Sequence, residues 1–174
     1  MKAGIPDHVL IIEPITYSTA YQPRSDHYWN CSTWYTNQHT TECYMAVVPL
    51  TNWGIDPLVT NQSPELMYAR VRSYWPGNYY IWLCGRGNSV NDDSVYMGVD
   101  GVSPASAQRI TGYHQSAWVW QSIKMDGQRP YIYLASSLEQ VNLWAREDGM
   151  RVDRILLTRD AGYNPSGNIR CGGY

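Results

Sequence analysis

The sequence predicts an all-β protein in which two antiparallel sheets pack face to face, and three observations point there. Short runs rich in Val, Ile, Tyr and Trp are separated by Gly, Pro, Asn, Asp and Ser, which is the strand-and-turn rhythm of a sandwich. Apolar stripes at helical spacing are almost absent. The 174 residues are one domain's worth and long enough to bury a substantial core. Ten segments read as strands: residues 8–14, 42–50, 66–73, 79–85, 94–100, 108–113, 118–124, 130–135, 140–146 and 151–158. That number suffices for two sheets within a single domain spanning residues 1–174.

The opening strand is carried by the apolar run Val9-Leu10-Ile11-Ile12 before Glu13 and Pro14. Residues 17–41 are polar and aromatic without clear period, and read as a long loop able to carry function. Tyr79–Leu83 is apolar or aromatic throughout, as in a strand covered on both faces. In 94–100, Val95, Met97 and Val99 alternate with Ser94, Tyr96 and Gly98, the period of a strand with one buried face. Turns come from Trp75-Pro76-Gly77-Asn78, Asn91-Asp92-Asp93, Asp126-Gly127 and Asp148-Gly149, whose residues tolerate tight or left-handed backbone. Residues 160–174 read as a flexible tail.

Composition narrows the function. There are 15 Tyr and 8 Trp but no Phe, so every aromatic ring carries a polar handle suited to half-wet surfaces. A net charge of −2 without a Lys/Arg run supplies nothing to neutralise a phosphate backbone, which argues against nucleic acid as a partner. No apolar run approaches the roughly 20 residues of a membrane span, and the first residues lack the apolar segment of a signal peptide.

Four cysteines leave several chemistries open. Cys31 and Cys43 flank a polar segment, and a disulfide closing about 12 residues contributes roughly 3 kcal/mol. His27 and His39 each stand four residues before one of these cysteines, so His27, Cys31, His39 and Cys43 form an alternative tetrahedral zinc set. Pairing of Cys84 with Cys171 requires the tail to lie against the strand that holds Cys84. No nucleophile elbow, His-Glu-x-x-His helix or glycine-rich phosphate loop is present. The pair Asp92-Asp93 reads as a solvated turn, since adjacent residues of a strand or turn point apart. The chain therefore reads as a non-enzyme.

In the second half, Tyr79-Tyr80-Ile81-Trp82-Leu83-Cys84-Gly85-Arg86-Gly87, then Asp93-Ser94-Val95-Tyr96-Met97-Gly98-Val99-Asp100-Gly101, then Trp118-Val119-Trp120 precede the run from Val141 to Thr158. Within that run an Asp148-Gly149 turn leads into Asp153-Arg154-Ile155-Leu156-Leu157-Thr158. This order resembles the strands of carbohydrate-binding modules of families 6 and 35 and related galactose-binding-like jelly rolls. The likeness covers about the last hundred residues well, and the earlier ones only at the opening strand. The resemblance implies a jelly roll with a structural Ca2+ between the first and last strands, at Glu13 and Asp153. The family often has two acidic residues in the first strand, whereas here Glu13 is followed by Pro14. An alternative for Asp153 is a pair with Arg151 or Arg154. Sugar binding at a loop rim would fall by position on Trp118 and Arg151, with rings from the variable loops at Trp34, Tyr35 or Trp53. An indole face covers the apolar side of a pyranose, while polar side chains bond its hydroxyls. Trp118 is expected to face outward and Trp120 to pack, and Trp82 and Trp144 to belong to core or sheet surface.

The resemblance implies a non-catalytic glycan- or polysaccharide-binding module, extracellular or at a virion or cell surface. The alternative is a structural or assembly protein, such as a virion decoration, fibre or surface-lattice subunit, using the same jelly roll to contact copies of itself or other structural proteins. The surplus of Tyr and Trp suits either role.

Overall fold

The computed structural model describes residues 8–23, 26–36, 41–167 and 169–172, and of residues 33–36 and 41–42 the backbone only. Eleven strands follow one another in it: β1 (Val9–Ile12), β2 (Thr19–Tyr21), β3 (Tyr28–Thr36), β4 (Thr41–Val48), β5 (Glu65–Arg72), β6 (Gly77–Arg86), β7 (Val95–Val99), β8 (Val119–Gln121), β9 (Tyr131–Leu134), β10 (Leu138–Ala145) and β11 (Arg151–Thr158). They form a two-sheet antiparallel β-sandwich. One sheet runs β3-β4-β11-β6-β8, with β1 beside the second half of β11 and β9 beside the first half of β6. The other runs β2-β5-β10-β7.

Alternation explains which faces meet. Met45 and Val47 of β4, Ile81 and Leu83 of β6, and Ile155 and Leu157 of β11 point inward against Leu66, Met97, Val141 and Leu143 of the second sheet, all buried in one core. The run Tyr79–Leu83 is apolar throughout because β6 is covered on both sides. Its odd positions face the core, and Trp82 and Cys84 join Val9, Trp120 and Leu156 in a second cluster on the outer face of the larger sheet. Gly98 of β7 is dictated by a close approach: a Cβ there would stand 2.1 Å from the Val102 carbonyl oxygen.

The structure departs from the sequence reading in several places, β7 among them: its Tyr96 and Gly98, expected on a wet face, are buried along with Val95 and Met97. Residues 17–41, read as a loop, contain β2 and β3. The Asn, Ser and Thr of β3 hide its period because among the described residues it is an edge strand pairing with β4, with Trp29 reaching the core and Tyr28 exposed. Residues 108–113, read as a strand, make only isolated bridges, from Ile110 to Val95 and to Lys124. Positive φ at Arg109 (54°) and Gly112 (99°) breaks the extended backbone there. The C-terminal segment, read as a flexible tail, lies across the outer cluster, where Tyr163, Ile169 and Cys171 pack.

Both disulfides bear on this arrangement. Cys31–Cys43 ties β3 to β4, which removes both sulfurs from a zinc set with His27, while His39 lies outside the described residues. Cys84–Cys171 anchors the tail to β6 near its C-terminal end.

Candidate functional site

The outer face of the larger sheet becomes a site because the tail covers only part of it. Trp120 is packed and donates its indole N–H to the Ile169 carbonyl at 3.0 Å. Arg154 donates to the Arg170 carbonyl at 2.6 Å, and the Gly172 N–H donates to Asp153 Oδ2 at 2.9 Å. Gly172 has φ +84° and sits so close to Trp118 that a Cβ would meet its ring at 2.7 Å. The tail and the start of β8 thus enclose a groove of about 620 Å³. Trp118 forms one wall, half-buried and edge-on to Tyr44 with ring centroids 5.1 Å apart. Gln115, Gln121, Ser166 and Arg170 supply amide, hydroxyl and guanidinium groups around it.

An indole beside neutral amides is chemistry for a ligand with an apolar face and many hydroxyls. It offers no nucleophile with an adjacent base.

The strand ends near the 49–64, 87–94 and 146–150 connections are held by buried charge. Asp148 accepts the Thr51 N–H, and His27 donates to or accepts from Thr51 Oγ1 at 2.8 Å. The His27 ring stacks on Trp53 with centroids 4.7 Å apart. Asp56 takes Arg109 and Arg146 at 2.9 and 3.1 Å. Burial opposes ionisation of Asp56, but the hydrogen bonds from Arg109 and Arg146 outweigh it and hold the carboxyl below its usual range. The neighbouring Tyr96 hydroxyl is pushed up to about 12, first by burial and then by its bond to Asp56. Burial also raises Glu147, which accepts from Ser94 and Arg146.

Of the residues the sequence singled out, Trp118 lines the groove, and Trp53 is half-buried with one face occupied by His27. Arg151 lies half-buried on β11 between Ala46 of β4 and Arg86 of β6. Trp34 and Tyr35 belong to β3, with side chains outside the described residues. The sequence reading missed Gln115, Gln121, Ser166 and Arg170, because only the tail crossing brings them together.

The calcium expected between Glu13 and Asp153 can be tested against the same geometry. The Glu13 carboxylate holds the Arg154 guanidinium at 3.0 Å, while Asp153 accepts the tail N–H. Asp153 pairs with neither Arg151 nor Arg154 in the described contacts, Arg154 having turned to Glu13. Calcium takes six to eight oxygens. Among the described residues no group of three or more His, Cys, Asp and Glu side chains is placed to hold a metal. With a cation already on Glu13, these residues do not fit the ion.

The fold is similar to that of several solved structures. The chain superposes on a family 35 carbohydrate-binding module from Clostridium thermocellum with TM-score 0.54 at 12% identity, covering 86% of this chain and 96% of that one. A family 35 module from Paenibacillus barcinonensis gives 0.52 at 14% identity, covering 82% and 100%. A family 6 module from Cellvibrio mixtus lichenase, solved with cellotriose, gives 0.50 at 13% identity, covering 87% and 97%. At these identities the likeness is one of fold, and it is the jelly roll that the sequence resemblance implied. In sequence the chain is 28% identical over 158 residues to an uncharacterized protein of Formosa agariphila, matching 81% of this chain but spanning only 36% of that protein's length. The sequence matches no protein-family model. Among the described residues no helix is long and apolar enough to cross a membrane.

Proposed function

We propose that this chain is a non-catalytic module that binds glycans, acting outside the cell or at a surface. One observation carries the reading: a half-buried indole, Trp118, forms the wall of an open groove whose other groups are amides, a hydroxyl and a guanidinium. That is a stacking platform with hydroxyl-reading groups around it, on a sandwich of the fold shared with carbohydrate-binding modules. The groove lies on a sheet face under the C-terminal segment, so the rim expected from sequence becomes a tail-walled trough. Affinity electrophoresis in gels containing neutral β-glucans, mannans and xylans tests this. The wild type is expected to be retarded by at least one of them, and Trp118→Ala to lose most of that retardation, since one stacked ring is worth about 1 kcal/mol or more. Migration unchanged by every glycan, together with large particles in light scattering, would favour the assembly reading instead.

A further inference from the structure

A second cleft lies at the edge strand β9, which pairs with the first half of β6 on the same side as β8, and its lining differs in kind from the Trp118 groove. β9 alternates strictly: Ile132 and Leu134 are fully buried, while Tyr131 and Tyr133 turn outward, 37% and 58% exposed. Two residues apart on one face, their rings are spaced by roughly 6.5–7 Å along the strand. Around Tyr133 the cleft is apolar, a hollow of about 290 Å³ bounded by Val99, Val102 and Pro104. Beyond Tyr131 it widens into about 470 Å³ lined by Arg109, Lys124, Arg129, Met125, Asp126 and Gln128. Ser106 and Tyr131 line both parts, so the two hollows adjoin along β9. The covering segment is fixed there, since Ser106 donates its hydroxyl to the Tyr131 carbonyl at 2.7 Å.

Three cations and one carboxylate line the wide end, in a chain whose net charge is −2, so this local sign is opposite to that of the whole protein. Each cation is held in place. Lys124 is 8% exposed, its ammonium fixed by Asp126 at 2.7 Å and the Ala105 carbonyl at 3.3 Å. Arg109 is oriented by Asp56 at 2.9 Å. Arg129 lies over the Trp82 ring at 5.0 Å and donates to Ser122 and to the carbonyls of Ala161 and Tyr163, and among the described residues it forms no ion pair. Lys124 and Arg109 are each paired with a carboxylate, and Asp56 is shared between Arg109 and Arg146, so the wide end keeps a positive balance held in fixed geometry. Guanidinium groups so oriented favour an anion that can take several charge-assisted hydrogen bonds.

We infer that this edge cleft binds an anionic saccharide, with its carboxylate or sulfate in the Arg109–Lys124–Arg129 end and its sugar rings along Tyr131 and Tyr133. The inference rests on the glycan-binding reading for its ligand class but not on the Trp118 groove.

Gel retardation and calorimetry with three polysaccharides test it: polygalacturonate for carboxylate, a sulfated galactan for sulfate, and the neutral galactan left after desulfation. The variants are Met125→Glu and Gln128→Glu, both at exposed positions of the lining and each adding a negative charge, with Met125→Gln as the neutral control. The wild type is expected to bind at least one acidic polymer more tightly than the neutral one, and to lose that preference in high salt. Each added carboxylate should weaken acidic-polymer binding about fivefold, with Met125→Gln near wild type and neutral binding untouched. Preference for polygalacturonate alone assigns a carboxylate, and preference for the sulfated galactan alone a sulfate ester. Equal binding of acidic and neutral polymers, or acidic binding indifferent to both Glu variants, overturns the cleft while leaving the glycan reading intact. No retardation by these polymers or by the neutral glycans used for the Trp118 groove overturns the glycan reading and the cleft with it.

Discussion

Asp93 stands in an Asn-Asp-Asp run that reads as a solvated turn, yet it is almost fully buried. Its carboxylate accepts the Thr111 hydroxyl at 2.9 Å and the Gly112 and Tyr113 N–H groups at 3.2 Å, and faces His114 Nδ1 at 2.6 Å. It organises the 111–114 connection that leads into β8, and so sets where Trp118 begins. No sequence signal marks this, because the four partners lie about twenty residues away and converge only in the fold. Glu65 behaves differently. Burial lifts its carboxyl above the usual 4.5, the hydrogen bond from Asn142 only partly offsetting it. The folded state therefore holds the proton more tightly than the unfolded chain. Stability should fall as pH rises from the unfolded value through the folded one, then stay level above it. Urea unfolding between pH 4 and pH 7 is expected to show this loss in the wild type and a flatter profile in Glu65→Gln. Asp56, held low by its two arginines, acts in the opposite sense and only below its usual 3.8, where its contribution is lost as the pH falls. The difference between the two Glu65 profiles thus isolates Glu65, and parallel profiles would show that its environment is not desolvated.

At the scale of elements, the two disulfides do unequal work. Cys31–Cys43 closes 12 residues inside a hairpin whose register already brings β3 and β4 together, whereas Cys84–Cys171 closes 87 and carries the tail. Loop-closure entropy alone makes the longer one worth about 1.8 kcal/mol more. Losing it also frees the segment that covers Trp82, Trp120 and Leu156. The double replacement Cys84→Ala/Cys171→Ala is expected to cost about 2 kcal/mol more in urea unfolding than Cys31→Ala/Cys43→Ala, and to weaken any ligand dependent on Trp118. Equal costs would mean that the tail stays in place without its anchor. The Cys84–Cys171 link was open in sequence because strand and tail are far apart in the chain. The hairpin link was a stated candidate because its cysteines sit close. Nine of the ten segments read as strands became strands, since their period or apolar content was local. β2 and β3 escaped notice because an edge strand, solvated along much of its length, shows no clean alternation.

For the whole molecule, the place that the family resemblance gives to calcium is occupied by protein. The Arg154 guanidinium lies on Glu13 and reaches the Arg170 carbonyl, the Gly172 N–H caps Asp153, and the disulfide locks the same segment to β6. First strand, last strand and tail are joined by a cation and a covalent bond that belong to the chain. The thermal midpoint is expected to be the same in millimolar calcium and in chelator, and a fall of several degrees in chelator would show that a bound ion does contribute to the fold. Trp118 beside β8 and Tyr131 and Tyr133 on β9 lie along the same side of β6, so one sandwich would carry both of the proposed ligand surfaces.

The sequence by itself determined the all-β class, most strand positions, the jelly-roll resemblance and Trp118 as a candidate ring. These follow from local alternation, turn residues and short strings, which a linear reading can see. Only the tertiary structure decided that the tail walls the Trp118 groove, that Asp93 and Arg154 are committed inside the protein, and that Arg109, Lys124 and Arg129 meet beside Tyr131. Each of these depends on groups distant in the chain arriving at one point, where burial and charge, rather than local propensity, fix what a side chain does.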